Sequence, residues 1–376
     1  MEYRNLKKLN IKTSLLGFGC MRFPTKEGKV DRTLAKSMVD YAVSNGVNYI
    51  DTAYFYHNGE SELVVKEIIK DYDRKSFYLA DKLPTWMVKK ESDVLRIFND
   101  QLDKTGVEYF DFYLIHAVNK TRIEEIKQYK VLEKLAKLKL QGKIKYIGFS
   151  FHDNLDVFKE AVGLFDWDFC QIQLNYMDTN HQQGIEGYNI LTEKDIPVIV
   201  MEPIKGGSLA KFNEGVENIL RDHDHSASIS SWALRWVGSL PNVKVILSGM
   251  STMEHVVDNI KTFSDFKPLD ESEISLVDEV KSRLVSLTKV DCTDCKYCMP
   301  CEYGVDIPAN FKIYNQHAMY ENTKTATWQL NNLDKNSKSA VNCVQCQDCV
   351  SKCPQNIDIP TELAESREYF KSYGLK

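Results

Sequence analysis

Residues 47–82 read VNYIDTAYFYHNGESELVVKEIIKDYDRKSFYLADK and contain a strand pattern, a helix pattern and a second strand pattern in succession. VNYI and SFYLA are short runs dominated by apolar and aromatic residues, which is typical of strands buried in a sheet. The charged segment between them, residues 60–71, has its apolar residues at helical spacing. This order predicts two parallel strands joined by a crossover helix.

The same alternation continues along most of the chain. Eight strand candidates occur in order: SLLGFG, VNYI, SFYLA, FDFYLI, IKYIGF, DFCQIQL, PVIVM and VKVILS. Helix candidates lie between them at residues 32–44, 60–71, 91–105, 123–141, 226–237 and 253–262. Eight strands with intervening helices predict a closed (β/α)8 TIM barrel, which commonly takes about 250 residues. The alternative, an open doubly wound sheet, usually has a GxGxxG turn after its first strand, and GFGCMR at residues 17–22 matches that turn poorly.

The amino-acid composition and net charge argue against some classes of binding partner. The chain has 376 residues, of which 43% are hydrophobic, and a formal net charge of -5, so no broad basic surface attracts nucleic acid or anionic lipid. The first ten residues, MEYRNLKKLN, lack the apolar core of a signal peptide. No apolar run reaches the roughly 18 residues that a membrane helix needs. We therefore expect a cytoplasmic protein that acts on a small molecule.

A second domain is predicted at the C-terminal end. Residues 269–286 have the pattern of an acidic amphipathic helix, and the composition changes abruptly at Asp291. We place the boundary near residue 288, with the barrel in residues 1–288 and a small domain in residues 289–376. The small domain contains an internal repeat, because CEYGVDIP at Cys301 and CPQNIDIP at Cys353 are similar. Each copy follows a group of cysteines and precedes a helix-like run, which indicates a duplicated unit.

Eight of the ten cysteines lie in the small domain, in two tight groups with CxxCxxCxxC and CxxCxxCxxxCP spacing. Three thiolates at intervals of three residues can wrap one cubane, and the second group matches the bacterial ferredoxin run. Structural zinc, the alternative, normally uses separated CxxC pairs. The pattern therefore predicts two [4Fe-4S] clusters held by Cys292, Cys295, Cys298, Cys301, Cys343, Cys346, Cys349 and Cys353.

The stretch between the two groups, residues 307–328, looks helical, so the domain resembles the mostly α-helical two-cluster ferredoxins. In such proteins the fourth cysteine of each run binds the other cluster. We therefore expect Cys353 to complete the first cluster and Cys301 to complete the second. Cys20 and Cys170 stand alone and are interpreted as buried packing residues, because free cysteine behaves as a small hydrophobe.

Four polar residues in the barrel form a second candidate site. Asp51, Lys82 and His116 each follow a strand candidate, and Tyr56 lies five residues after Asp51. Strand ends converge at one face of a barrel, where catalytic residues are found. Alone, each residue is more often a cap, a solvated charge or packing. Together they suit carbonyl reduction, because hydride transfer leaves charge on oxygen and a proton donor is needed.

Each residue has a role in that chemistry. Tyr56 can donate the proton if a close cation, Lys82, lowers its pKa from about 10. Asp51 would hold Lys82 charged. His116 would donate a hydrogen bond to the carbonyl oxygen.

At these residues the chain resembles the aldo-keto reductase superfamily. GVNYIDTAYFYHNGESE, LADKLP and FDFYLIHA contain the family's Asp, Tyr, Lys and His in the family's order, and the resemblance covers roughly residues 1–265. It implies a barrel that uses NAD(P)H. Ser150 fits the serine that holds the nicotinamide carboxamide, although Phe151 replaces the adjacent asparagine, and Gln171 fits a glutamine that contacts the same group.

The resemblance also implies contacts for the rest of the cofactor. Met201 replaces the aromatic residue that commonly stacks on the nicotinamide. Gly206 and Gly207 allow the backbone to approach the diphosphate, or simply form a turn. SGMSTMEHVVDNI fits the adenine-binding segment but lacks the basic residues of strong 2′-phosphate binders, which leaves NADPH and NADH both open. Its candidate contacts are Ser248, Gly249, His255, Asp258 and Asn259.

The two chemistries differ in electron count, because a nicotinamide gives two electrons as hydride and each cubane takes one. No residue pattern identifies a flavin that would split the pair. Three hypotheses remain. The protein is a carbonyl reductase whose clusters tune it or link it to a ferredoxin or flavodoxin, or it is an electron-transfer or redox-sensing protein whose barrel binds nucleotide without turnover, or its clusters are purely structural.

Overall fold

Eight parallel strands close into a barrel in the computed structural model, which describes residues 1–375. The strands are β1 (Leu16–Gly19), β2 (Tyr49–Asp51), β3 (Tyr78–Leu83), β4 (Phe110–Val118), β5 (Ile144–Phe151), β6 (Phe169–Gln173), β7 (Val198–Met201) and β8 (Val243–Ser248). Each strand pairs with the next along the chain, and β8 pairs with β1 to close the barrel. The predicted (β/α)8 fold and all eight strand candidates are confirmed.

Helices follow the strands in turn along the chain. They are α1 (Arg32–Ser44), α2 (Ser61–Ile69), α3 (Glu91–Thr105), α4 (Lys120–Gln128), α5 (Val131–Leu140), α6 (Leu155–Val162), α7 (Gly184–Glu193), α8 (Glu214–Arg221), α9 (Ile229–Gly238), α10 (Met253–Ser264) and α11 (Glu271–Ser286). In α1 the buried residues are Ala35, Met38, Val39 and Ala42, the spacing of one helical face. The three short helices α6, α7 and α8 have no counterpart among the sequence predictions. Within residues 1–375, no helix is both long and apolar enough to span a membrane.

The helix predicted over residues 123–141 is wrong, because the chain forms α4 and α5 with a break between them. Lys130 has a left-handed backbone, with φ of 51°, and ends the first helix. No glycine or proline marks this break in the sequence. Lys130 and Lys134 both lie 3.0 Å from carboxylate oxygens of Glu91. These contacts and the separate buried faces of the two helices account for a turn that local sequence does not signal.

Alternation along the strands divides the barrel interior into an apolar and a polar layer. Tyr49, Ala80 and Phe169 point inward near the amino ends of β2, β3 and β6, in a buried cluster that Leu6 of an N-terminal hairpin (Tyr3–Leu6 with Ile11–Ser14) also joins. Side chains two residues further along a strand share the same face. That spacing brings Asp51, Lys82 and Gln171 inward at the carboxyl ends, so the polar candidates lie above an apolar floor.

The chain divides into two compact units. One unit comprises Met1–Gly206 and Ser230–Glu271, and the other comprises Gly207–Ile229 and the chain from Ser272 onward. The boundary near residue 288 stays a prediction.

The small domain is mostly helical, with α12 (Ile307–Tyr320), α13 (Thr323–Lys335) and α14 (Ile359–Ser372). The two DIP sequences of the internal repeat start α12 and α14, each with proline in the first turn, a position that needs no N–H donor. The predicted helical, ferredoxin-like domain is confirmed.

Candidate active site and cluster sites

Lys82 is the centre of a polar network at the carboxyl end of the barrel. Its ammonium Nζ donates to Asp51 Oδ1 at 2.6 Å and to the Thr52 carbonyl oxygen at 2.7 Å. It also donates to the Tyr56 hydroxyl at 3.3 Å. Lys82 and Asp51 are fully buried, and Tyr56 is partly buried. Three of the four predicted catalytic residues therefore meet through direct contacts.

A tight turn after β2 aims Tyr56 at Lys82. Tyr56 begins a short 3-10 turn in which His57 and Asn58 both have left-handed backbones, with φ of 52° and 55°. Non-glycine residues rarely adopt this conformation, so tertiary contacts must hold it. His57 Nε2 accepts a hydrogen bond from the Phe23 backbone N–H at 3.1 Å. The sequence analysis did not identify this supporting role of His57, for which the only local signal is the Asn-Gly pair that follows it.

His116 faces the tyrosine ring. The two ring centroids lie 6.2 Å apart and nearly perpendicular, and the Trp86 ring lies 5.2 Å from His116 on another side. Burial lowers the pKa of His116 well below its ordinary value, and the charges of Lys82 and His152 lower it further. The imidazole is therefore neutral at physiological pH and has one N–H donor. Its Nδ1 atom is buried and has no hydrogen-bond partner.

Burial favours a protonated Tyr56 beside a charged Lys82. Burial would lower the pKa of Lys82, but the charge of Asp51 and the contact with Tyr56 outweigh burial, so this pKa is raised. Burial raises the pKa of Tyr56 above its ordinary value, and the Lys82 charge offsets only part of that increase. The expectation of a tyrosine pKa below its ordinary value is therefore wrong. A tyrosine that keeps its proton at neutral pH is nevertheless what a proton donor requires.

A layer of polar groups behind β3 fixes the backbone at Lys82. The Gln101 amide Nε2 donates to the Lys82 carbonyl oxygen at 3.1 Å and to Asp81 Oδ1 at 2.9 Å. It also donates to Glu62 Oε1 at 3.1 Å. Burial raises the pKa of both carboxyl groups, most strongly for Asp81, whose pKa the neighbouring Glu62 raises further. Sequence reasoning did not find this layer, because its residues come from three different elements.

The candidate nicotinamide contacts Ser150, Gln171 and Met201 lie in β5, β6 and β7. The Ser150 hydroxyl accepts a hydrogen bond from the Ala117 backbone N–H at 2.8 Å, which leaves its own hydrogen available. Gln171 Nε2 lies 3.4 Å from the Met201 sulfur. Gln171 Oε1 is buried without a hydrogen-bond partner. The Ser150 hydroxyl can donate to the oxygen of a carboxamide, and Gln171 Oε1 can accept from its NH2 group. These two residues on adjacent strands therefore fit a nicotinamide.

Four of the adenine-binding candidates have hydrogen bonds within the protein. Asn259 Nδ2 donates to Ser248 Oγ at 2.8 Å, and Asp258 accepts from the Ser230 hydroxyl at 3.1 Å. His255 Nδ1 accepts from a backbone N–H within its own turn at 3.3 Å. These contacts fix the segment between β8 and α10 in a single shape.

The three candidate glycines, Gly206, Gly207 and Gly249, differ in their constraints. A side chain at Gly249 would meet the Arg22 side chain at 2.6 Å, so Arg22, which the sequence analysis passed over, lies against the segment. β1 pairs with β8, which explains that proximity. Gly206 and Gly207 have positive φ and open space around them, so turn geometry rather than crowding favours glycine there.

The eight clustered cysteines line two cavities in the small domain. The first is lined by Cys292, Cys295, Cys298 and Cys353, together with Ile307, Phe311 and Ile359. The second is lined by Cys298, Cys301, Cys343, Cys346 and Cys349, with Val305 and Leu363 among its apolar residues. In residues 1–375, no three His, Cys, Asp or Glu side chains converge on a point suited to a single metal ion. The first cavity has four thiols and the second has five, because Cys298 lines both, and the apolar residues around them fit a cubane. Cys353 lies in the first cavity and Cys301 in the second, which is the arrangement expected for crossed ligation.

The sequence profile of the Aldo/keto reductase family matches residues 15–282. The chain belongs to this family. A second profile, the 4Fe-4S dicluster domain, matches residues 291–357 of this aldo-keto reductase. The oxidoreductase class and the ferredoxin-type domain that the sequence predicted are confirmed.

Relatives of this reductase include "Uncharacterized oxidoreductase YqkF" of Bacillus subtilis, which is 25% identical over 73% of this chain and 94% of its own length. The NADH-specific methylglyoxal reductase of Escherichia coli is 24% identical over 68% of this chain and 89% of its own length. Among solved structures, the aldo-keto reductase AKR11C1 from Bacillus halodurans has 22% identity and a TM-score of 0.61, covering 74% of this chain and 96% of its own. That structural likeness supports the barrel fold.

Proposed function

We propose that this aldo-keto reductase reduces an aldehyde or ketone with NAD(P)H and that Tyr56 is the proton donor. The observation that carries the proposal is the fully buried Lys82 ammonium, which contacts both Asp51 Oδ1 and the Tyr56 hydroxyl. A charged ammonium in a desolvated site stabilises nearby negative charge far more than it would in water. Such a group next to a tyrosine hydroxyl suits a reaction in which that hydroxyl loses its proton.

Each residue of the site has a separate role in the proposed carbonyl reduction. A bound reduced nicotinamide supplies the hydride. The Ser150 hydroxyl and Gln171 Oε1 would hold its carboxamide and so orient the ring. Neutral His116 would donate a hydrogen bond to the substrate oxygen and fix its position. Tyr56 then gives its proton to that oxygen.

The charges of Lys82 and Asp51 serve the proton transfer. When Tyr56 loses its proton, the Lys82 ammonium stabilises the tyrosinate at a distance of 3.3 Å. Asp51 keeps Lys82 protonated by its own charge and hydrogen bond. The apolar floor of the barrel below these residues excludes water from the reacting groups.

The adenine-binding segment favours NADH over NADPH in this proposal. Residues 248–259 contain no lysine or arginine, and they include Glu254 and Asp258. A 2′-phosphate would therefore meet negative charge along α10. The relative named as NADH-specific supports the same choice.

The small domain would hold two [4Fe-4S] clusters, one in each cysteine-lined cavity, and pass single electrons to or from a ferredoxin or flavodoxin. Cys295 in the first cavity and Cys346 in the second are both exposed. An exposed ligand brings the cluster edge close to the domain surface, where a protein partner can reach it.

Turnover by the protein purified without air, tested with a panel of aldehydes and quinones, checks the proposal. Tyr56→Phe is expected to lower kcat/KM by about 10² to 10⁴ while NAD(P)H affinity is unchanged, because only the proton donor is lost. Tyr54→Phe is a matched control, since the Tyr54 ring lies 3.7 Å from the Lys104 ammonium rather than beside Lys82. Near-normal turnover in Tyr56→Phe would contradict the assignment.

Electron paramagnetic resonance on the same samples follows the clusters. We expect cluster signals that change during carbonyl turnover or on addition of a ferredoxin. A barrel that binds nucleotide but is inert towards every substrate, in a protein with reducible clusters, would instead favour an electron-transfer or redox-sensing function.

A further inference from the structure

The residue that follows Ser150 does not face the barrel mouth. Phe149 and Phe151 both pack against Phe158 of α6, with ring centroids 6.1 Å and 4.9 Å away, and all three are fully buried. Odd positions of β5 therefore point outward and even positions inward. Ser150 is the last inward polar side chain within the strand itself.

His152 continues the inward face beyond the end of β5. Its backbone N–H donates to the Val118 carbonyl oxygen at 3.0 Å, so the pairing with β4 extends one residue past Phe151. The His152 side chain then lies on the same side as Ser150. It is partly buried, and a proton on His152 would lower the pKa of His116, so the two rings are near enough to interact electrostatically. Burial lowers the pKa of His152 as well, so its ring is neutral.

A chain of hydrogen bonds determines which nitrogen of His152 carries the proton. Lys205 Nζ lies 2.5 Å and 2.7 Å from the two carboxylate oxygens of Asp178, and this pairing lowers the pKa of Asp178 despite burial. An ionised carboxylate only accepts hydrogen bonds. Gln173 Nε2 donates to Asp178 Oδ2 at 3.1 Å, which turns the Gln173 oxygen towards Gln182.

The next two contacts follow from that orientation. Gln182 Nε2 donates to Gln173 Oε1 at 3.0 Å, and the same nitrogen lies 3.4 Å from His152 Nδ1. Since Gln182 presents an N–H to Nδ1, this ring nitrogen is the acceptor. A neutral imidazole with an acceptor at Nδ1 carries its proton on Nε2. The Lys205–Asp178 pair thus fixes His152 as a single-donor ring through two glutamines.

We propose that His152 is a positioning residue for the nicotinamide, whose Nε2–H donates to the carboxamide oxygen alongside the Ser150 hydroxyl. This inference rests on the proposed function, because it requires that the barrel binds NAD(P)H. The oxygen of a carboxamide accepts two hydrogen bonds. The NH2 group of the same carboxamide donates to an acceptor such as Gln171 Oε1. With His152 included, the carboxamide oxygen and one N–H have partners from β5, its extension and β6.

Ligand binding rather than turnover tests the inference. The affinity of the holoprotein, purified without air, is measured for NADH by fluorescence and for ADP-ribose by calorimetry. ADP-ribose lacks the carboxamide. His152→Phe is expected to weaken NADH binding by about tenfold, the effect of one well-placed hydrogen bond, and to leave ADP-ribose binding unchanged. His152→Gln, which keeps an N–H donor of similar reach, should retain most of the NADH affinity.

The possible outcomes separate the two proposals. Equal weakening of NADH and ADP-ribose in His152→Phe would mean that the residue only maintains the fold, and unchanged NADH binding would mean that it makes no contact. Either result overturns the inference and leaves the proposed function intact. A wild-type protein that binds neither NADH nor NADPH overturns both. Gln182→Leu should weaken NADH binding in the same selective way, because the orientation of His152 is then lost.

Discussion

Lys82→Met removes the charge that the proposed mechanism depends on most. Methionine is close to lysine in length and apolar, so it fills the same fully buried space. The variant loses the hydrogen bonds to Asp51 and Tyr56 and the positive charge between them. A buried Asp51 without its partner would also destabilise the fold, by about 3–5 kcal/mol if it stayed ionised. The double variant Lys82→Met with Asp51→Asn removes that second effect and is the better comparison.

The distance of 3.3 Å between Lys82 Nζ and the Tyr56 oxygen sets the expected loss. At an effective dielectric constant of about 20, a full charge pair at that separation is worth about 5 kcal/mol. If the tyrosine oxygen carries between half and all of its charge in the transition state, the loss is roughly 2.5–5 kcal/mol. Since each 1.36 kcal/mol is about tenfold in rate, kcat/KM should fall by about 10² to 10⁴.

The pH dependence of kcat/KM is a second, independent test of the role of Lys82. Activity is lost at high pH as Tyr56 loses its proton, and Lys82 lowers the pKa of Tyr56 relative to burial alone. Without Lys82 that pKa rises, so the alkaline limb of kcat/KM moves to higher pH while the maximum falls. Lys127→Met is a control, because Lys127 pairs with Glu160 at 2.9 Å on an exposed part of the surface. A limb that stays in place or moves to lower pH, or near-normal turnover, would refute the reasoning.

The cluster and nucleotide assignments make three further predictions. Protein purified without air should be brown and contain about eight iron and eight sulfide per chain, and colourless, zinc-rich protein would contradict this. In steady-state kinetics, kcat/KM with NADH should exceed kcat/KM with NADPH by at least about tenfold, which is roughly the effect of one charged contact on affinity. A preference for NADPH that Arg22→Ala abolishes would identify Arg22 as a phosphate ligand instead. Cys301→Ala should damage first the cluster bound by Cys343, Cys346 and Cys349, as read by paramagnetic resonance, whereas damage to the other cluster would refute crossed ligation.

The barrel and the central residues of its site could be predicted because both depend on local patterns. Short apolar runs separated by helical spacing identify the strands without knowledge of their neighbours. Residues at strand ends converge in any parallel barrel, so Asp51, Lys82 and His116 could be expected near one another from their positions alone.

Other features depend on contacts between distant segments and could not be predicted. The left-handed backbone at Lys130 has no glycine or proline to mark it, and the Asn-Gly pair after His57 marks a turn without showing what His57 contacts. The pKa of Tyr56 depends on the balance of burial and charge, and residue type alone does not give that balance. The orientation of His152 requires four partners from different elements, the last of them 53 positions away at Lys205.

The assignment of cysteines to the two clusters could be predicted only in part. Spacing within each run identifies the ligands, but three cysteines at intervals of three residues are compatible with a fourth ligand from either run. The repeat places Cys301 and Cys353 at equivalent positions before α12 and α14, so both fourth cysteines are expected to cross or both to stay with their own run. If each fourth cysteine belonged to its own run, the two helices could separate without loss of a ligand. In the cavities Cys353 lies with Cys292, and Cys301 lies with Cys343, so binding either cluster would tie the two halves of the domain together.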